Sequence, residues 1–198
     1  MGTRAVGVLL LSPLFSILTF LYGYPLCYNF WLSFNRWNLF ENVPRVYVGL
    51  ENYKAMLQWP IFHNGIYNAL FFTFGTVSLQ FTLGLSLAVL LSRLSRKYRI
   101  VLTSVFLVPF MMSAVVSALT WQWMYAPIYG IINYVLRQEI TWLADPKIAM
   151  ISIVIADAWH MMPFFMLVLL AGIMSIPTDL SESIRIDGAS GWQEFRYV

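Results

Sequence analysis

The sequence predicts an all-α membrane protein, a polytopic helical bundle with four transmembrane helices and a short, charged helix-turn-helix after the fourth. Three observations predict it. The 198 residues are 60% hydrophobic and 11% charged, where a soluble domain carries roughly 25% charged residues. The mean hydropathy is +0.70. The charges are also excluded in blocks: no Asp, Glu, Lys or Arg lies between Arg4 and Arg36, between Lys54 and Arg93, or between Arg99 and Arg137. Each gap exceeds the roughly 20 apolar residues a helix needs to cross hydrocarbon. A fourth stretch, 148–178, is interrupted by Asp157 alone.

The first helix is expected over 6–32. Pro13 and Pro25 fall inside it, and helices in membrane bundles tolerate proline where neighbours re-satisfy the freed backbone groups. A cleaved signal is the competing reading. The stretch lacks a basic n-region beyond Arg4, and no small-x-small cleavage site follows it, so it reads as a retained helix. Cys27 lies in this apolar run as the one cysteine, which leaves no internal disulfide framework and points to an inert membrane thiol.

The second helix is expected over 69–91, the third over 101–123 and the fourth over 149–173. Small residues four apart at Gly84/Ala88, Ser113/Ser117 and Ala114/Ala118 would let helix backbones approach closely. Orientation comes from the shortest loop, 92–100, which holds Arg93, Arg96, Lys97 and Arg99 and no acid. The positive-inside rule puts it in the cytoplasm. The N-terminus and the segment from 175 onward are then cytoplasmic, and 33–68 and 124–147 are external. Trp31, Trp37, Trp59, Trp121, Trp123 and Trp142 fall at or near the outer boundary, either in the headgroup layer that tryptophan favours or inside the bundle.

The segment 175–198 is a different kind of sequence. Pro177 stops the fourth helix, Thr178 can cap another, and Asp179 and Glu182 favour its positive end. Leu180 and Ile184 share a face. Gly188 offers a left-handed exit, and Ser190 with Gln193 forms a capping box for a second short helix. Against the single Arg185 stand Asp179, Glu182 and Asp187. An acidic helix is disfavoured on an anionic leaflet, so this element reads as a docking surface for a soluble protein.

Enzyme chemistry finds no support. There is no Gly-x-x-x-x-Gly-Lys-Ser/Thr phosphate loop, and Gly188-Ala189-Ser190-Gly191-Trp192 is not a nucleophile elbow. His63 and His160 have no metal-ligand spacing, and neither a cofactor nor a nucleic-acid surface is expected. Asp157 and His160 share one face of the fourth helix, with Trp159 beside them. Polar groups in a membrane face a cavity or a partner. These three form either a sugar-contacting patch or structural hydrogen bonds to another helix.

The run from Glu182 to Ala189, ending Asp187-Gly188-Ala189, resembles the cytoplasmic signature loop of permease subunits in bacterial and archaeal ABC importers. That loop begins Glu-Ala-Ala, reaches a central glycine and closes on Ile-x-Leu-Pro. Ser183 and Ile184 stand here in place of the two alanines, and the closing Leu-Pro is absent up to Val198. Val48-Gly49-Leu50-Glu51-Asn52-Tyr53, Pro109, Trp121-x-Trp123-Met124-Tyr125, Gly130, Ile132-Asn133, Trp159, Pro163, Ala171-Gly172 and Ile176-Pro177 are similar to the carbohydrate-uptake branch, in particular its maltose-type first permease subunit. The resemblance implies one importer transmembrane domain over 1–198, incomplete at its C-terminus, since six helices form the intact family's core. It implies a non-enzymatic, multi-pass plasma-membrane subunit that imports a sugar or sugar-like solute. Its partners would be a dimer of ABC ATPase subunits, a second permease subunit, an extracytoplasmic solute-binding protein and membrane lipid. Asp179, Glu182, Ser183, Arg185, Asp187, Gly188 and Ala189 would couple to the ATPase. Glycerol phosphate or another polar solute as cargo, or a truncated membrane adaptor, are the competing readings.

Overall fold

A computed structural model describes residues 3–38, 44–177, 188 and 193. The chain forms two compact units, Met1–Tyr67 and Asn68–Val198.

In the first unit α1 (Thr3–Leu18), a π-helical turn (Thr19–Gly23) and α2 (Tyr24–Leu32) run on as one helical stretch, close to the predicted 6–32. The wide turn has a local cause. Pro25 has no N–H to give Leu21, and its ring crowds that carbonyl. Tyr24 instead donates to Thr19 O, five residues back, which opens the helix ahead of the proline. The apolar side chains here, Leu9, Leu10 and Phe20 among them, are largely exposed, as a lipid-facing stripe requires.

Beyond α2 the chain is not purely helical. β1 (Asn35–Arg36) pairs antiparallel with β2 (Val46–Tyr47), a minimal ladder that departs from the all-α expectation. The run Val48–Tyr53 then clamps this region. Gly49 takes φ +58°, a conformation glycine adopts at little cost, and α3 (Glu51–Gln58) follows. Asn52 donates to Ser33 O at 2.8 Å and Asn35 O at 3.0 Å. The Tyr53 hydroxyl meets that of Ser33, and Glu51 pairs with Arg36. The Arg45 guanidinium lies 4.0 Å over the Trp37 ring.

α4 (Pro60–Ser92), which belongs to the second unit from Asn68 onward, begins nine residues before the predicted start. His63, Asn64 and Asn68 end the apolar run but not the helix, and Pro60 suits a first helical position. α9 (Ala149–Met174) matches the fourth predicted helix. α4 buries Thr76, Gln80, Gly84, Ala88 and Leu91, a single stripe at three- and four-residue spacing. Ala88 and Leu91 meet Met166 and Leu170 in the core. Successive contacts advance together along both helices: Gly75 faces Val154, Gln80 bonds Asp157, and Gly84 faces Phe165 and Met166. α4 and α9 are therefore parallel.

The third predicted helix is corrected. The stretch 101–123 is not one helix but three, α5 (Arg96–Phe106), α6 (Val108–Met111) and α7 (Ala114–Met124), and a short α8 (Ile131–Leu136) follows before α9. Pro109 removes a backbone donor, and Met112 turns extended at ψ 149°. Ser113 then caps α7, its side chain accepting from Val116 N. The broken segment still retraces α9 in the opposite direction: Arg99 reaches Met174, the Phe110 and Phe164 rings stack, Trp121 meets Trp159, and Tyr125 meets Ser152. Among the described residues three helices are long and apolar enough to cross a membrane: Gly7–Leu32, Pro60–Ser92 and Ala149–Met174.

Candidate functional site

The polar residues of α9 sit where α4, the helix break and α7 converge. Each side chain singled out there has a neighbour on another element. Gln80 Nε2 donates to Asp157 Oδ2 at 2.9 Å. Gln80 is buried, 5% exposed, whereas Asp157 is half-buried. A carboxylate offers about four lone-pair sites, so one amide donor leaves Asp157 acceptor capacity on its open side. His160 is buried, and its Nδ1 lies 2.9 Å from Pro109 O. A carbonyl can only accept, so Nδ1 carries the proton. This bond fastens the broken third segment to α9 one turn before Met112 leaves the helix.

Trp159 is half-buried, with its ring edge-to-face against Trp121 at 5.8 Å. The Trp121 Nε1 atom is buried and has no hydrogen-bond acceptor among the described residues. Buried indole N–H groups find partners as a rule; this one, enclosed at the corner between α7 and α9, is an exception among the described residues. Asp157, Trp159 and Trp121 thus make a small amphipathic surface, with His160 and Gln80 as its fixed supports. Gln80 escaped sequence reasoning, and Trp121 was singled out only as one of six tryptophans near the outer boundary. Gln80 is uncharged and lies in an apolar run with no local sign of its partner 77 residues away.

A second cluster closes the loop before α9. The Asn133 amide donates to Pro127 O and Ile140 O, while its oxygen accepts from Trp142 Nε1 at 2.7 Å. Ser152 Oγ donates to Trp142 O, and Tyr125 donates to Ser152 O. Burial pushes the Tyr125 phenol above its ordinary range, which keeps it a neutral donor. Gly130 has no room for a side chain, because a Cβ there would run into the Ala126 and Met124 carbonyl oxygens. The tryptophans divide accordingly: Trp121 and Trp142 are half-buried and packed on their neighbours, whereas Trp31, Trp37, Trp59 and Trp123 are exposed.

Of the expected ATPase-coupling residues, Asp179, Glu182, Ser183, Arg185, Asp187 and Ala189 lie outside the described residues. Gly188 is described and takes φ +82°, the left-handed geometry anticipated for a helix exit. Among the described residues no group of three His, Cys, Asp or Glu side chains could hold a metal ion.

The family described as the binding-protein-dependent transport system inner membrane component matches residues 80–198. The trehalose/maltose transport system permease protein MalF of Thermococcus litoralis is 37% identical over 198 residues, covering 98% of this chain and 66% of that protein. The trehalose transport system permease protein SugA of Mycobacterium tuberculosis is 30% identical, covering 100% of this chain and 64% of that protein. In the crystal structure of a bacterial ABC transporter that imports the acidic polysaccharide alginate, one chain superposes with a TM-score of 0.78 at 24% identity. That match covers 98% of this chain and 66% of the other, and at that identity it speaks for the fold alone. The chain spans about two thirds of the length of the proteins it matches.

Proposed function

The chain belongs to the family of binding-protein-dependent transport system inner membrane components, and from that membership we propose that it is a permease subunit of an ATP-driven importer for a sugar or sugar-like solute. The observation that carries the proposal is the family match over 80–198, which takes in α9, the helix break and the signature-like segment together. The sugar class rests on the relatives, whose names specify trehalose and maltose.

The broken segment α5–α7 serves as one crossing, so four crossings precede the cytoplasmic segment and the N-terminus is cytoplasmic. An external binding protein delivers the solute, and a second permease subunit completes the path. Asp179, Glu182, Ser183, Arg185, Asp187, Gly188 and Ala189 dock on a dimer of ATPase subunits. ATP-driven closure then moves this segment as a lever on α9. Coupling requires that its contacts differ between the inward- and outward-facing states.

Asp157 and Trp159 line the path, with the Trp121 ring packed behind Trp159. A carboxylate accepts from sugar hydroxyls, and an aromatic ring covers the sugar's apolar face. His160 and Gln80 hold the wall in position. Two measurements test this. The tagged protein should co-purify with an ATPase subunit and lose it on Glu182→Arg; retention would refute the docking role. Asp157→Asn should lower sugar uptake while the ATPase still co-purifies, and unchanged uptake would remove Asp157 from the path.

A further inference from the structure

The turn between α4 and α5 concentrates positive charge. Arg93, Arg96, Lys97 and Arg99 fall within seven residues that contain no acid. Among the described residues none of the four is in an ion pair. Arg99 is spent on the fold: its guanidinium donates to Ser92 O at 3.4 Å and reaches Met174 Sδ at 3.1 Å, tying the turn to the end of α9. Arg93, Arg96 and Lys97 are exposed.

Two features decide what such a surface can hold. Its depth is set by α4, a 33-residue helix apolar enough to span a membrane, whose last residue is Ser92. The cations therefore begin where hydrocarbon gives way to headgroups. From them an apolar stripe runs along α5: Tyr98, Val101 and Val105, at i, i+3 and i+7, are 65%, 56% and 60% exposed. A soluble acidic segment would satisfy the charges and leave this stripe wet. A lipid satisfies both, with its phosphate at the turn and an acyl chain along the helix.

We propose that Arg93, Arg96 and Lys97 form a binding site for the headgroup phosphate of an anionic phospholipid, whose acyl chain lies on the Tyr98–Val101–Val105 stripe. Each basic residue near an anionic surface strengthens binding about fivefold, so the site selects phosphatidylglycerol over zwitterionic phosphatidylcholine. The inference does not rest on the cargo assigned above.

Native mass spectrometry of the intact membrane complex, equilibrated with equal amounts of the two lipids, tests it. The unaltered protein should retain phosphatidylglycerol preferentially. Arg96→Gln with Lys97→Gln should reduce that preference at least tenfold and leave phosphatidylcholine retention unchanged. Equal retention of both lipids by the unaltered protein, or the same preference in the double variant, would overturn the proposal. A salt titration of the unaltered complex covers the case in which the variant does not assemble: the preference should fall as ionic strength rises, and a salt-independent preference overturns the site. Competition by soluble glycerol phosphate as strong as that of the lipid would reassign it to free anions. Loss of the ATPase from the double variant with lipid retention intact would reassign it to an acidic protein surface.

Discussion

Gly84 is the point at which the α4–α9 interface is most sensitive to a single added atom. A Cβ there would lie 2.8 Å from Phe165 Cβ and 2.9 Å from Met166 N. Relaxed carbon contacts sit at about 3.5–4.0 Å, so Gly84→Ala must part the helices locally by roughly 1 Å. One neighbour is α9 backbone, which cannot turn aside as a side chain would. Overpacking of this kind costs about 1–3 kcal/mol. For a chain of this size that corresponds to roughly 2–12 °C in melting temperature. The strain also reaches the polar pair, because Gln80 lies one turn away, about 6 Å along α4, and its 2.9 Å bond to Asp157 crosses the same interface. Gly172 supplies the control. It lies in α9 with nothing within 4 Å of an added Cβ, so Gly172→Ala should be neutral or stabilising by up to about 1 kcal/mol through helix propensity. Thermal unfolding of the two variants in one detergent, followed by helical circular dichroism, separates them. Equal melting temperatures would refute the close-approach argument.

Gly130→Ala should be more damaging than Gly84→Ala, because the three atoms that obstruct position 130 are all backbone and the Ala126 and Met124 carbonyl oxygens would approach an added Cβ more closely than any atom at position 84; the yield of folded protein on size exclusion in detergent reads it. Asn133→Ala removes the hub that joins Pro127, Ile140 and Trp142, and should cost about 1–3 kcal/mol by orphaning buried polar groups. Protease cleavage within 126–148 should accelerate in that variant, and an unchanged rate would show that the loop holds without it. His160→Ala should destabilise the break by about 1–3 kcal/mol, while His160→Asn, which keeps a donor near the Nδ1 position, should recover part of the loss in the same melting assay. Gln80→Leu should destabilise more than Asp157→Asn, since the first leaves a half-buried carboxylate without its donor and the second keeps a hydrogen-bonding group of the same shape. Reversal of that order would place the two side chains apart.

Much of the architecture was legible in the order of residues. Charge-free blocks locate membrane segments because hydrocarbon excludes charge whatever the tertiary arrangement. Gly84 and Ala88 announced a close helix contact, and the structure buries both of them. The other small-residue pairs behaved differently: Ser113 became a helix cap and Ser117 is buried, but Ala114 and Ala118 stay exposed. A spacing rule detects a surface capable of close approach, and only a partner makes the approach happen. The extra turns at the start of α4 were missed for a related reason: hydropathy follows the apolar run, while the helix continues beyond it through His63 and Asn64.

What the chain determined by itself was its solvent: long apolar runs, charge confined to loops, and a charged segment after Pro177. These are transfer energies that each residue carries with it wherever it sits. The tertiary structure decided which polar groups meet. It broke the stretch 96–124 at Met112 and Ser113, bonded Gln80 to Asp157 and His160 to Pro109, and left the Trp121 N–H without an acceptor among the described residues. Those outcomes depend on separations of tens of residues and on geometry within a few tenths of an ångström. Local sequence carries no record of either, because a hydrogen bond exists only once two remote backbones have been packed into register.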